Sequence, residues 1–441
     1  MASVLPPGPP LPGLLQAGLI WLAPIRFVST CHRRYGDRFT VRIPGIGTLV
    51  FLTDPADIKS VARGDPAIFH AGEAAAPLSP MLGTNSLVTI DGDQHRRCRA
   101  MMMPAFQGDS VRRQVAEMVA ITADNVAHWP VGEQFPLYPR MQAITLEVIL
   151  RTVIGVHDEG RLAALRIALP AMLEIGSPLE LIPPPQALRR FGVWRRRAQR
   201  RAKAQALLTD EISRCRADPR LAHRTDALAT LVRSVDGGGR AMEDDELVDQ
   251  LITLLLAGHD TTATALAWTF ERLTRHPALL HRTAAAAADG DDAWLNAVCK
   301  ESLRVRPVVF EFARKLTAPL QLGGYQIPAG TILTPSINLV HHNSRHYRDP
   351  ERFWPQRFLD QRTDPAVWLP FGGGVRRCIG ATFAQVEMRT VLREVLRSVE
   401  LAPSTAPDEP VRPRHVTMVP GQGAVVTVRR RITIGDRVAT A

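Results

Sequence analysis

The sequence predicts a mainly α-helical protein with small β-sheets (α+β), built as a single domain. Three observations carry this. Long stretches keep a helical apolar pattern without proline, the longest from Glu243 to His276. Strand-like runs are short and cluster before residue 53 and again from Val308 to Ile337. No linker is poor enough in core residues to mark a domain boundary.

In chain order, Phe39–Ile43 and Thr48–Leu52 read as strands separated by a Pro-Gly turn. Ser110–Arg151 is helical with a break at Trp129-Pro130, and Arg161–Ile175 is a further apolar helix. The prolines 183–185 interrupt the chain, and "RRFGVWRRRAQRRAKAQALL" follows as a strongly basic helix. Asp236–Arg240, "DGGGR", is an exposed turn. The acid run Glu243, Asp244, Asp245, Glu246 then suits the positive end of a helix dipole. The helix it opens has about 32 residues, a rod of roughly 48 Å. Its middle, Leu251–Gly258, is almost entirely apolar, so burial on all sides is expected. Asp291–Arg304 is another helix, and Gly-Gly and Pro-Ala-Gly turns divide the short strands after it.

With 441 residues and 45% hydrophobic composition, the chain can bury a large core, which excludes global disorder. The net charge of +11 is compatible with nucleic acid, an anionic membrane surface or an acidic protein, without choosing among them. Five cysteines with no CxxC exclude a disulfide framework or a Cys-only zinc site and fit a reducing cytoplasm. The N-terminus lacks the basic start of a secretion signal. Its apolar stretch, Leu11–Pro24, contains prolines and is too short to span a bilayer. A soluble or membrane-surface protein is expected.

"AGHDTT", Ala257–Thr262, places an acid and a hydroxyl in the middle of the apolar rod. Read alone, it is a helix crossing with a threonine bonded to its own i−4 carbonyl, or a local widening that offers a hydroxyl and a proton route to a ligand. Glu301 and Arg304 in "KESLRVRP" share a helical face, and "PERFWPQRF" is a proline-punctuated loop with Arg352 and Arg357. Gly372-Gly373-Gly374 has Arg377 where a dinucleotide fingerprint needs glycine. His342 and His346 lack the glutamate of a zinc helix, Asn343 standing in its place. "FGGGVRRCIG" is more specific: Phe371, Gly374, Arg376, Cys378 and Gly380 give FxxGxRxCxG. Arginines favour thiolate over thiol, and a helix starting after the cysteine aims backbone N–H groups toward it.

That stretch resembles the haem-binding signature of the cytochrome P450 monooxygenases, bacterial soluble type, and the other motifs follow in the family's order along essentially the whole chain. The resemblance implies the family's single, mostly helical domain. Residues 1–25 would be a Pro-rich N-terminal segment, resembling the hinge after the anchor of membrane-bound members but with no anchor expected before it. Residues 26–441 would be the haem-thiolate domain, with haem b (iron protoporphyrin IX) between the long helix and the cysteine helix. Cys378 would be the axial iron ligand, shielded by Phe371, with Gly374 and Gly380 shaping its loop. Glu301, Arg304 and Arg357, rather than Arg352, would form the structural triad that holds this loop. Arg376, Arg99, His95 and Arg314 would face the haem propionates. Thr261 would guide protons to oxygen, and Asp260 would relay them from solvent. His259 stands where many members have an apolar or variable residue.

The resemblance also implies O2 as co-substrate and a lipophilic small molecule as substrate. Electrons would come from a ferredoxin with its reductase or another separate donor; no nucleic-acid partner is expected. A cytoplasmic location follows, with peripheral membrane contact through the basic segment 189–203 as the alternative. Rival readings are a peroxygenase or isomerase on the same haem and a non-catalytic haem-based sensor. The Asp260–Thr261 pair argues against both.

Overall fold

The structure is a computed structural model and describes residues 5–174, 192–359, 364–414 and 416–432. The chain opens with helices α1 (Gly13–Leu22) and α2 (Pro24–Tyr35), the hairpin β1 (Arg38–Ile43) and β2 (Gly47–Leu52), and α3 (Pro55–Arg63). The Asp54 carboxylate accepts from the Ala56 and Asp57 amides and starts α3, with Pro55 at its first position. The two-residue strand β3 (Phe69–His70) and the short helices α4 (Ala71–Ala74) and α5 (Ser79–Leu82) lead into the helical body.

That body comprises α6 (Gly92–Met102), α7 (Asp109–Arg113), α8 (Val115–Val126), strand β4 (Gln134–Pro136), α9 (Tyr138–Val148) and α10 (Glu159–Leu173). It continues with α11 (Gly192–Ala217), α12 (Ala227–Arg233), α13 (Asp244–Thr274), α14 (Pro277–Asp289) and α15 (Asp292–Val305). The acid run before α13 forms a capping box. Glu243 accepts from the backbone of Glu246, and the Glu246 side chain accepts from the Glu243 amide. Most of the 31 residues of α13 are buried, as an apolar rod through the core must be, but the expected burial of Leu251–Gly258 on all sides stops at Leu255: Leu256, Gly258 and Thr261 are half-buried and Ala257 is exposed.

After α15 come β5 (Arg314–Leu316), the hairpin β6 (Leu320–Leu322) and β7 (Tyr325–Ile327), β8 (Ile332–Pro335) and α16 (Ile337–His341). The chain closes with α17 (Ala381–Ser398), β9 (Val399–Leu401), β10 (Val411–Arg414), β11 (Thr417–Pro420) and β12 (Val425–Arg431). The main sheet has the order β1-β2-β8-β5-β3, with β2 and β8 parallel and Val50 opposite Leu333. It covers its own apolar cluster, which includes Val50, Leu52, Ile58, Leu316 and Leu333. The larger core wraps α13 and is built from α8, α9, α15 and α17.

The basic helix differs from a fully solvated face. Within α11, Arg201 turns inward to the carbonyls of Pro80 and Met81, and Arg200 to those of Ala171 and Glu174. Residues 189–191 of the expected membrane-contact segment lie outside the described residues. Among the described residues no helix is long and apolar enough to cross a membrane.

Candidate active site

The loop Phe371–Gly380 is folded tightly before α17 starts. Gly374 has φ of 65°, and a side chain there would run into the Ala62 carbonyl at the end of α3. Glycine is required because the loop is pressed onto that helix. The Cys378 amide donates to the Phe371 carbonyl at 2.9 Å, closing the turn, and Trp368 packs edge-on against the Phe371 ring. Cys378 keeps open surface, whereas Cys31, Cys98, Cys215 and Cys299 are buried. Although open, the sulfur is surrounded by protein on most sides, and burial pushes the thiol up. The Gly380 amide and the Arg377 and Arg99 guanidiniums pull the other way.

A cleft of about 330 Å³ gathers His95, Arg99, Arg314 and Arg376 on one side of this loop. Arg376 donates to the Leu87 and Ile90 carbonyls and pairs with Asp91. Arg99 donates to the Arg377 carbonyl at 2.8 Å. Arg314 is buried, its guanidinium bonded to the Ala313 carbonyl and lying over the Phe312 ring. Burial, with Arg376 nearby, brings Arg314 down to about 10. Burial, with Arg376 and Arg99, brings His95 down to about 4, so its imidazole is neutral at pH 7. Asp91 is the acid of this group that sequence reasoning missed. Its carboxylate also accepts from the amides of Ala71, Gly72 and Glu73, tying α4 to the cluster.

Glu301 and Arg304 on α15 are completely buried and form a two-pronged ion pair, with both N–O distances 2.8 Å. Arg357 reaches Glu301 at 3.1 Å, and the Trp354 amide donates to the same oxygen. Arg304 also donates to the carbonyls of His341, Pro350 and Arg352. Arg352 therefore enters this network only through its backbone. The ion pair survives burial because each nitrogen and oxygen has a partner.

In the middle of α13, Gly258 lies against Ile149, where a side chain would sit 3.0 Å from the Ile149 Cδ1. The Thr261 hydroxyl donates to the Ala257 carbonyl, one turn back. Asp260 is buried and fully engaged. Tyr138 and Gln142 donate to its Oδ1, and Thr417 donates to Oδ2 at 2.9 Å. His259 is buried beside Thr145, whose hydroxyl lies 3.0 Å from the His259 carbonyl and 3.1 Å from its Nδ1. Burial lowers the His259 imidazole. A cleft of about 230 Å³, lined in part by Gln142, Glu174, His259, Asp260 and Arg414, reaches this face of the helix.

Sequence reasoning missed Tyr138, Gln142, Arg414 and Thr417, which sit on α9 and the β10–β11 hairpin. It also missed Glu311. Met418 in β11 donates its amide to the Val308 carbonyl, beside Thr417 and Asp260, and Arg314 joins the cation cluster. Glu311 lies midway between Val308 and Arg314. Its carboxyl has no hydrogen-bond partner among the described residues, and burial pushes it up to about 7.

The Cytochrome P450 family profile matches residues 6–427. A Mycobacterium tuberculosis protein named "Putative cytochrome P450 135B1" is 51% identical over 431 residues, covering 96% of this chain and 91% of its own length. "Putative cytochrome P450 135A1" from the same species is 38% identical, covering 99% and 98%. Among solved structures, cyanobacterial CYP120A1 with bound retinoic acid superposes with a TM-score of 0.83. It is 22% identical, covering 98% of this chain and all of that one. The fold and these relatives place the chain among the haem monooxygenases. It belongs to the cytochrome P450 family.

The residues present fit a haem. Arg99, Arg314 and Arg376 outnumber the one carboxylate of their cluster, Asp91, and this surplus suits the two propionates of the macrocycle. The open sulfur beside them suits an iron ligand.

Proposed function

We propose that this chain is a haem-thiolate monooxygenase that hydroxylates a lipophilic small molecule with electrons from a separate donor. The observation that carries the proposal is Cys378, the one cysteine with open surface, set in a Gly-pinned loop beside a cluster in which Arg99, Arg314 and Arg376 outnumber the single carboxylate of Asp91. Haem b, when bound, supplies the oxygen-activating chemistry. Cys378 would hold its iron, with the Gly380 amide, Arg377 and Arg99 favouring the sulfur anion. Arg99, Arg314, Arg376 and neutral His95 would bind the propionates. Glu301, Arg304 and Arg357 hold the segment before the cysteine loop in place through the Trp354 amide and the surrounding carbonyls.

Two groups on α13 would handle protons. Asp260 borders the open cleft near Arg414 and would take protons from it. Thr261 spends its hydroxyl hydrogen on Ala257, which leaves its oxygen lone pairs to accept another hydrogen bond. For the electron donor, a cleft of about 420 Å³ next to the cysteine loop carries Lys59, Arg63, Lys300 and Arg377 against Asp364. An acidic protein such as a ferredoxin would be attracted there.

The test is the spectrum of reduced protein under carbon monoxide. Wild type is expected to show the long-wavelength thiolate band, and Cys378→Ser is expected to lose it. Retention of the band in that variant would overturn the assignment, since the other four thiols are buried.

A further inference from the structure

Helix α1 is built inside out. Its sequence, GLLQAGLIWL, contains one polar side chain, Gln16, and that side chain is 1% exposed. Gln16 Nε2 donates to the Leu11 carbonyl at 2.7 Å, and its Oε1 accepts the Arg42 amide of β1 at 2.9 Å. Apart from Ile20, which packs against the Phe27–Phe39 cluster, the large apolar side chains point outward. Leu14 is 76% exposed, Leu15 56%, Trp21 72% and Leu22 84%. A surface helix in water has the reverse polarity.

The helix is not free to turn over. Before it, the Thr40 amide and hydroxyl of β1 donate to the carbonyls of Pro7 and Pro6. Gly13 lies against Pro44, so α1 is clamped beside the β1–β2 turn, where Ile46 is also exposed. Helix and turn together form one apolar surface, larger than the scattered hydrophobic residues of an ordinary exterior.

Charge identifies what covers this surface. No charged side chain occurs before Arg26. From there to Gly47, through α2 and the β1–β2 turn, the exposed charged residues are all cations: Arg26, Arg33 and Arg34 on α2, and Arg42 on β1. Among the described residues none of these four forms an ion pair. We infer that α1 and the β1–β2 turn dock on the surface of an anionic lipid bilayer, with α1 lying in the headgroup region and these arginines meeting lipid phosphates. Ten residues make a helix of about 15 Å, half the thickness of the hydrocarbon core, so α1 lies along the interface instead of crossing it. Trp21 at the end of the helix suits the same boundary. A second copy of the chain would meet cations with cations around the apolar patch, which a phosphate surface does not.

The experiment is flotation of the full-length haem-loaded protein with phosphatidylcholine vesicles containing 30% phosphatidylglycerol, and with phosphatidylcholine alone. Wild type is expected to float with the anionic vesicles and at least fivefold less with neutral ones. The double variant Leu14→Glu/Leu22→Glu, at exposed positions, is expected to bind at least tenfold more weakly while keeping the wild-type melting temperature and haem content. Wild type remaining in the soluble fraction, or the variant floating equally well, overturns the inference. So does light scattering that shows a wild-type dimer and a monomeric variant, since the partner is then a second copy. Equal flotation with both vesicles overturns the role of the arginines.

Discussion

Tyr138 donates its hydroxyl hydrogen to Asp260 Oδ1 at 2.5 Å, from 122 residues earlier in the chain, and its oxygen accepts from Arg414 at 3.0 Å. The phenol thus stands between a guanidinium and a carboxylate. Beside Asp260, and buried, its own ionisation is pushed well above the usual phenol range.

Removing that hydroxyl leaves two charged groups each short of a partner. Tyr138→Phe is expected to cost about 1.5–3 kcal/mol in urea unfolding, with haem content unchanged. A double-mutant cycle with Asp260→Asn should return a coupling of about 0.5–3 kcal/mol. Additive effects would show that the short contact carries no energy of its own.

Glu301→Gln removes one member of a buried ion pair and is expected to cost about 3–5 kcal/mol and to abolish stable haem incorporation. Arg352→Ala is the informative control. Its side chain is exposed and lies near the Trp354 ring, and only its carbonyl touches Arg304. A change of at most about 1 kcal/mol is expected. Haem-to-protein ratio and unfolding midpoint check both.

Thr261→Ala should still bind haem and consume electrons, with oxygen leaving as hydrogen peroxide instead of entering product. Loss of an acid–base aid is worth roughly 10²–10⁴-fold in rate. Thr261→Ser keeps a hydroxyl able to reach Ala257 and should restore most of the yield. Product formed per electron pair, measured with a substrate found by spectral screening, decides the matter. If the threonine only satisfies the helix carbonyl, Thr261→Ala changes stability slightly and yield not at all.

The pH dependence has two opposed parts. His95, held at about 4 against an ordinary 6.5, binds its proton more readily in the unfolded chain. Its contribution to stability is present above pH 6.5 and is lost as pH falls toward 4. Each such histidine contributes at most about 1.4 kcal/mol per pH unit, and buried His341 acts in the same direction. Glu311, raised to about 7 from 4.5, works the other way: its contribution is present below pH 4.5 and is lost as pH rises through 7. His95→Gln should flatten the acid limb of the urea midpoint against pH. Glu311→Gln should exceed wild type in stability at pH 8 and match it at pH 4.

The helical body and the residues within single motifs were legible in the sequence because their signals are local. Glu301 and Arg304 share a helical face, and the spacing around Cys378 is fixed within ten residues. The partners of Asp260 were not legible. Tyr138, Gln142 and Thr417 reach it from 118 to 157 residues away, and nothing in their sequence neighbourhoods distinguishes them from other polar residues. Asp91 stands at the N-cap of α6, yet its carboxylate serves α4 and Arg376 across the fold, which local sequence does not reveal. The orientation of α1 was equally hidden. In a helix with one polar residue, periodicity alone does not say which face turns inward; only the long-range bond to Arg42 settles it.

The parallel pairing of β2 with β8 sets a timetable for the chain on the ribosome. Leu49 faces Ile332, so one side of the early hairpin has no partner until about 280 more residues have been made. At roughly 5–20 residues per second, that edge stays open for about 15 to 60 seconds. During that time β2 offers unpaired N–H and C=O groups to any passing strand. Its leading residue, Gly47, and the proline and glycine of the turn before it are poor strand formers, which limits how far a mispaired ladder can extend. The nascent chain is therefore most exposed to aggregation after its first hairpin emerges and before β8 arrives to cover it.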